Sequence, residues 1–211
     1  MGKKSGAGTN MSLWWAMSSI APAEILAEKA NDTDFRIRRA VAKNKNTSEE
    51  TLEKLANDEH VAVREGVASN PEVPLRLLMQ LSSDRATSVR REVARNPRTP
   101  VEILAWLVKN SCVRAVCYEV ANNLNACAGI LQKLAKHKHR NVRYAVARHP
   151  NTPVETLRML AKDNDCDVRR VVADNSKTPL EIIEWLAQND LEDSVRFIAA
   201  MELRRRRGIY Y

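Results

Sequence analysis

Aromatic side chains are scarce in this chain: two Phe, four Tyr and four Trp among 211 residues, 5% in all. A core must therefore be packed from aliphatic groups. No run of 18 or more apolar residues occurs, so no transmembrane helix is expected. The apolar stretch Met11 to Met17 is broken by Ser12 and is followed by no convincing cleavage site, so a secretory signal is not expected either. Cysteine is sparse too. Cys112, Cys117, Cys127 and Cys166 are unevenly spaced and do not read as a disulfide framework, which fits a reducing, cytoplasmic setting.

Catalytic signatures are equally thin. With six glycines there is no phosphate-cradling glycine loop, and neither Gly-x-Ser-x-Gly nor His-Glu-x-x-His occurs. His60, His137, His139 and His149 are scattered, and His149 stands where other copies of a repeat carry Asn. Cys112, Cys117 and Cys127 follow a C-x4-C-x9-C spacing that matches no usual structural zinc site. Neither a metal nor a cofactor is expected, and nothing points to an enzyme.

The formal net charge of +8 is concentrated at the ends. Lys3 and Lys4 lie near the start, and Arg204, Arg205, Arg206 and Arg207 form a run near the end. Taking these six from 34 basic residues leaves 28 against 26 acidic ones, a nearly neutral body. Basicity alone therefore does not mark the chain as a nucleic-acid scaffold.

What fills the chain is a repeated unit. Val89 to Lys109, VRREVARNPRTPVEILAWLVK, contains two short amphipathic patterns separated by a turn. Val89 and Val93 lie four apart, and Leu104, Leu107 and Val108 fall at i, i+3, i+4. Between them, Thr99 to Glu102 matches a capping box, with Pro100 expected at the first helical position. Copies begin at Ile37, Val63, Val89, Val116, Val142, Val168 and Val195, at successive spacings of 26, 26, 27, 26, 26 and 27 residues. A period that constant is the mark of stacked helical repeats. Each copy carries two apolar stripes it cannot bury alone, so the Leu52/Leu78/Leu104/Leu131/Leu157/Ile183 and Val41/Val67/Val93/Val120/Val146/Val172 columns are the expected core.

These VRxxVAxNPxTPxExLxxLA units resemble the leucine-rich repeat variant (LRV) family, a relative in style of HEAT repeats, over roughly residues 21 to 203. The resemblance implies an all-α, right-handed solenoid of about seven two-helix repeats of 26 residues. One family member carries an iron–sulfur cluster domain ahead of its repeats; that needs clustered cysteines, and none precedes position 112 here. The expected organisation is a disordered tail at 1–10 and a single repeat domain at 11–203. That domain divides into an N-terminal cap (11–36), repeats (37–194) and a closing helix (195–203), with a basic tail at 204–211.

Three columns are candidates for function. The first is Arg38, Arg64, Arg90, Arg143, Arg169 and Arg196, interrupted by Cys117. Guanidinium groups at this register either read phosphates or carboxylates on a partner, or join Asp32, Asp58, Asp84 and Asp163, six residues ahead of four of them, in a structural ladder. The second holds variable positions, Arg39, Arg91, Tyr118, Tyr144 and Arg170 with Lys43, Arg95 and Arg148 among them, which either stack bases or hold an acidic peptide, or form an ordinary solvated face. The third runs Glu28, Lys54, Gln80, Trp106, Lys133, Met159, Trp185, and its large apolar members suggest a protein contact.

The sequence thus favours a non-enzymatic repeat scaffold or adaptor that binds a protein partner. The alternative is a nucleic-acid-binding solenoid that uses the arginine column and the basic C-terminal tail. No membrane association is expected.

Overall fold

The computed structural model describes residues 13–111 and 113–209. The expected tail at 1–10, Met11 and Ser12 of the cap, Cys112 and the last two tyrosines lie outside the described residues. Among the described residues the chain is helical throughout, without strands, and no helix is long and apolar enough to cross a membrane. Contacts divide it into two compact units, Met1–Leu107 and Val108–Tyr211.

The first unit holds α1 (residues 13–17), α2 (Ala23–Lys29), α3 (Phe35–Lys43), α4 (Glu49–Ala56), α5 (Val61–Ala68), α6 (Leu75–Ser82) and α7 (Thr87–Arg95), and α8 (Val101–Asn110) begins in it. The second holds α9 (Arg114–Asn122), α10 (Ala128–Leu134), α11 (Arg140–Arg148), α12 (Val154–Leu160), α13 (Cys166–Asp174), α14 (Leu180–Asn189) and α15 (Asp193–Arg206). Each repeat is a helix pair. Successive first helices pack on one another, α3 on α5 and α5 on α7 in one unit, α9 on α11 and α11 on α13 in the other. Helices of seven to ten residues are marginal in water on their own, so burial between repeats has to hold them.

The burial follows the two expected columns. In the first unit Leu52, Leu78, Leu104, Val41, Val67 and Val93 are at most 1% exposed, and in the second Leu131, Leu157, Ile183, Val120, Val146 and Val172 are wholly buried. Each such side chain contributes roughly 1.5–3 kcal/mol. At one point the first helices approach so closely that only glycine fits. A Cβ on Gly66 would lie 2.9 Å from the Ala42 Cβ and 3.1 Å from the Arg39 carbonyl oxygen.

The polar half of the fold is built from the residue that ends each first helix. Asn44, Asn96 and Asn175 leave the helix in extended conformation. Their side chains turn back to the preceding repeat, as does that of Asn70. The Asn70 amide donates to the Ala42 carbonyl at 2.7 Å and to the Asn44 carbonyl at 2.9 Å, 28 and 26 residues back. Asn96 does the same to Ala68 and Asn70, at 2.8 and 3.0 Å, and Asn175 to Ala147 and His149, at 2.6 and 3.2 Å. The Asn70 amide oxygen accepts from the Glu72 N–H, so every polar atom of the side chain is used. The bonded carbonyls are ones that a helix end leaves open.

His149 fills this role with different chemistry. Its Nε2 donates to the Asn123 carbonyl at 3.0 Å, and its Nδ1 accepts from the Asn151 N–H at 3.1 Å. Only the neutral ring with its proton on Nε2 can do both. The repeat asparagine also has a stand-in at the last layer, where Arg206 donates to the Thr178 and Asn175 carbonyls at 2.6 and 2.8 Å. The closing helix, expected over 195–203, runs from Asp193 to Arg206 and takes in most of the arginine run.

In α12 and α14 the expected capping box does not form. Thr99, the first residue of the expected motif, donates its hydroxyl to the Val93 carbonyl at 2.5 Å, and Thr47, Thr152 and Thr178 do likewise to Val41, Val146 and Val172. Helix α8 starts at Val101, one residue after Pro100, and in α12 and α14 the proline is itself the N-cap, extended and without a side-chain bond. A threonine one residue further out cannot reach the first-turn N–H groups. Its buried hydroxyl closes the preceding helix instead. Where Ser48 replaces the proline, a side chain does cap the second helix, accepting from the Thr51 N–H.

Gly66→Val should lower stability by about 1–3 kcal/mol through overpacking between α3 and α5, read as a lower midpoint in urea unfolding with an unchanged slope. Burial holds His149 below its ordinary pKa of 6.5, against the opposing effect of its bond to Asn123. The unfolded chain therefore takes up this proton first, and stability falls as pH drops below 6.5. His149→Asn should make that fall shallower in thermal melts between pH 7 and 5, while a slope equal to wild type would assign it to other groups.

Candidate partner-binding surfaces

The arginine column is turned toward carboxylates of its own chain. Arg38 donates through Nε and Nη2 to the Asp58 carboxylate at 2.7 and 3.0 Å, and through Nη1 to the Asp32 carbonyl at 2.8 Å. Arg64 repeats the pattern with the Asp84 carboxylate and the Asp58 carbonyl, as does Arg143 with Asp163 and the His137 carbonyl. Arg169 follows with Asp190 and the Asp163 carbonyl. The aspartate that pairs with each guanidinium therefore lies 20 or 21 residues on, in the next turn, while the turn six residues back supplies a backbone oxygen. Arg90 bonds the Asp84 and Arg85 carbonyls and the Thr87 hydroxyl, and Arg196 bonds the Asp190 carbonyl and pairs with Asp193.

These are partly buried, two-pronged ion pairs. The Arg64 and Asp84 side chains are each 8% exposed. Burial alone would push the Asp58, Asp84 and Asp190 carboxyls up. The arginine hydrogen bonds, the N–H of the residue two on and the guanidinium charge together hold all three below their ordinary range. Where Cys117 interrupts the arginines, the residue twenty on is His137, not aspartate. Losing both members together avoids an unpaired charge in a half-buried site.

The second column is mixed. In the first unit Arg91 pairs with Glu92 at 3.0 Å, and exposed Arg95 lines a shallow cleft with Lys43, Ser69 and Glu92. In the second unit Tyr118 and Tyr144 share a cleft of about 280 Å³ with Arg140, Asn141, Asp165 and Asp167. Arg140 bridges Asp165 and Asp167 at 3.1 and 3.5 Å, and Arg170 holds Asp167 at 2.7 Å. Arg148 is exposed, outside that cleft. The structure thus gathers Tyr144 with its neighbour Tyr118 and leaves Arg148 apart.

In the third column the polar members bridge repeats. Gln80 donates to the Asn57 side chain at 3.0 Å, and Lys54 bonds Asn31. The apolar members differ: Trp106 in the first unit is half-buried, while Met159 on α12 and Trp185 on α14 are 39% and 42% exposed. Among the described residues no three His, Cys, Asp or Glu side chains converge as metal ligands.

A further cleft, of about 470 Å³, lies between α1 and α3; the second column supplies Arg39 and Lys43 to it, but not its apolar side. Leu13, Ala16, Met17, Phe35 and Ala40 line it together with Arg36, Arg39, Lys43 and Asn44. The signal for it is present in the chain: Arg36, Arg39 and Lys43 fall at i, i+3 and i+7, on one helical face.

Comparison with known proteins agrees with this architecture. The model of the family described as "Leucine rich repeat variant" matches residues 35–60 and 140–165. A solved structure described as a leucine-rich repeat variant with a novel repetitive protein structural motif superposes with a TM-score of 0.67 at 27% identity, covering 93% of this chain and 82% of that one. An engineered protein aligns over 96% of the chain, but at 14% identity and a TM-score of 0.29 it carries no argument about the fold. No curated protein matches. With the helix pairs, the 26-residue period and this superposition in agreement, the chain is built as an α-solenoid of repeats similar to those of the leucine-rich repeat variant family.

Proposed function

We propose that this protein is a non-enzymatic, cytoplasmic repeat scaffold that binds a protein partner. One observation carries the reading. Met159 and Trp185 stand 39% and 42% exposed in the second unit, at the register where Lys54 and Gln80 make hydrogen bonds in the first. Large apolar groups in place of satisfied polar ones favour a contact that removes them from water, and aromatic residues supply much of the energy in such contacts. Tyr144 and Arg170, close by the cleft of the second unit, offer polar contacts at its rim.

The arginine column is part of the same proposal, as a structural ladder. Its support is that Arg38, Arg64, Arg143 and Arg169 each hold a carboxylate with two donors and a carbonyl with a third. Guanidinium groups so occupied are poorly placed to read phosphates. The C-terminal arginines are engaged too, Arg205 and Arg206 with Glu202 and Arg207 with Glu184.

Two measurements test this. Arg64→Ala and Arg143→Ala should each destabilise the fold by about 1.5–3 kcal/mol, the range for hydrogen bonds to charged groups. The Asp84 carboxyl titrates below its ordinary 3.8 when folded, so the stability it brings is complete above that pH and is lost as pH falls through the lower folded value. Arg64→Ala should remove that acid sensitivity, and a variant as stable as wild type at neutral pH would refute the ladder. For the partner, the tagged full chain should capture the same protein from cell extract with and without nuclease, and Met159→Glu with Trp185→Glu should abolish capture. Capture that vanishes on nuclease treatment would establish the nucleic-acid alternative instead.

A further inference from the structure

We propose that the cleft between α1 and α3 is a docking groove for an acidic, amphipathic segment of a protein partner, an inference that rests on the protein-binding reading above. Its floor is apolar. Leu13, Ala16, Met17, Phe35 and Ala40 line it, and Met17 is 70% exposed. Trp14 and Ile20, on and just after α1, are 57% and 76% exposed. Its rim is cationic. Arg36, Arg39 and Lys43 project from one face of α3, all three are exposed, and among the described residues no carboxylate lines the cleft.

The rim stands out against the rest of the chain. Arg38, on the same helix, is locked to Asp58, and most other arginines hold a carboxylate: Arg64, Arg76, Arg98, Arg140, Arg143, Arg158, Arg169 and Arg170 among them. Arg36, Arg39 and Lys43 form no ion pair among the described residues. Three like charges within two helical turns repel one another, and an anionic occupant would relieve that repulsion. At about 470 Å³ the cleft is in the ordinary size range of ligand pockets, about 300–1,000 Å³.

Charge and shape choose among occupants. The chain's own residues 1–12 carry Lys3 and Lys4 and no acidic residue, so the cationic rim repels them. Single-stranded nucleic acid needs open aromatic faces for its bases. Among the described residues the one aromatic ring lining the cleft, Phe35, is stacked on His60 at 3.7 Å and 16°, with the Arg36 guanidinium 5.9 Å from its centroid. An amphipathic peptide uses both features that remain: apolar anchors for the Leu13/Met17 floor and carboxylates for the rim, as in helix-in-groove recognition.

The test is selection of a phage-displayed library of random 12-residue peptides on the full-length protein, with R36E/R39E/K43E and Met17→Glu as counter-targets. All four side chains are exposed, and circular dichroism checks that the variants remain folded. Peptides enriched on wild type should combine Asp or Glu with Leu, Ile, Phe or Trp. Made synthetically and labelled with fluorescein, they should bind at least tenfold more weakly to either variant, and several-fold more weakly when salt is raised from 50 to 200 mM. Enriched peptides without acidic residues, peptides that bind the variants equally well, or no enrichment would each overturn the proposal. So would a synthetic peptide of residues 1–12 that displaces them, or a labelled thymidine 12-mer that binds the same groove more tightly. If the groove fails while nuclease-resistant capture through Met159 and Trp185 holds, the assignment of the groove is wrong and the protein-binding reading stands.

Discussion

An asparagine amide reaching across one repeat to two open carbonyls is the interaction on which the rest of this structure depends. It satisfies groups that a helix end always leaves bare, in a fold with a helix end about every dozen residues. The bond is demanding, because Asn70 must meet carbonyls 28 and 26 residues back while its own oxygen takes the N–H two residues on. An inserted residue in the turn would pull the amide off one partner and leave a buried carbonyl unsatisfied. This accounts for a period that drifts by no more than one residue over six steps. It also accounts for what stands in for asparagine: His149, which donates to the Asn123 carbonyl, and Arg206, which reaches the Asn175 carbonyl and that of Thr178.

Once the turns are locked this way, the other polar residues divide into those spent on the frame and those left over. The threonine hydroxyls close the first helices, and the aspartates organise their own turns while receiving the arginine of the repeat before. Among the described residues no buried side-chain nitrogen or oxygen lacks a partner. Against so complete an accounting the exceptions carry information. Met159 and Trp185 are apolar where water reaches them, and Arg36, Arg39 and Lys43 are cationic without a carboxylate. These are the two places at which partner contacts are proposed.

The candidate surfaces were legible to different degrees. The Met159 and Trp185 register stood out from the chain because the position is polar in the early copies. The α1–α3 cleft did not, even though the spacing of Arg36, Arg39 and Lys43 was in plain view. Arg38 belongs to the same IRRAVAK stretch and is bound to Asp58, and nothing local separates a spent arginine from an unspent one. Only the position of the next turn does. The apolar half of the cleft comes from α1, outside the repeat pattern altogether.

By itself the sequence determined the helix pairs, their period and the two buried columns, because apolar periodicity is a local property that repeats amplify with each copy. The tertiary structure alone decided which partner each polar side chain takes. Thr99 was free, on local grounds, to cap the helix after it or to close the one before. Its hydroxyl donates to the Val93 carbonyl, and Pro100, the residue before α8, has no side chain that could cap that helix. A hydrogen bond depends on which atoms lie within about 3 Å, and for partners some 20 to 28 residues apart that distance exists only after the repeats have stacked.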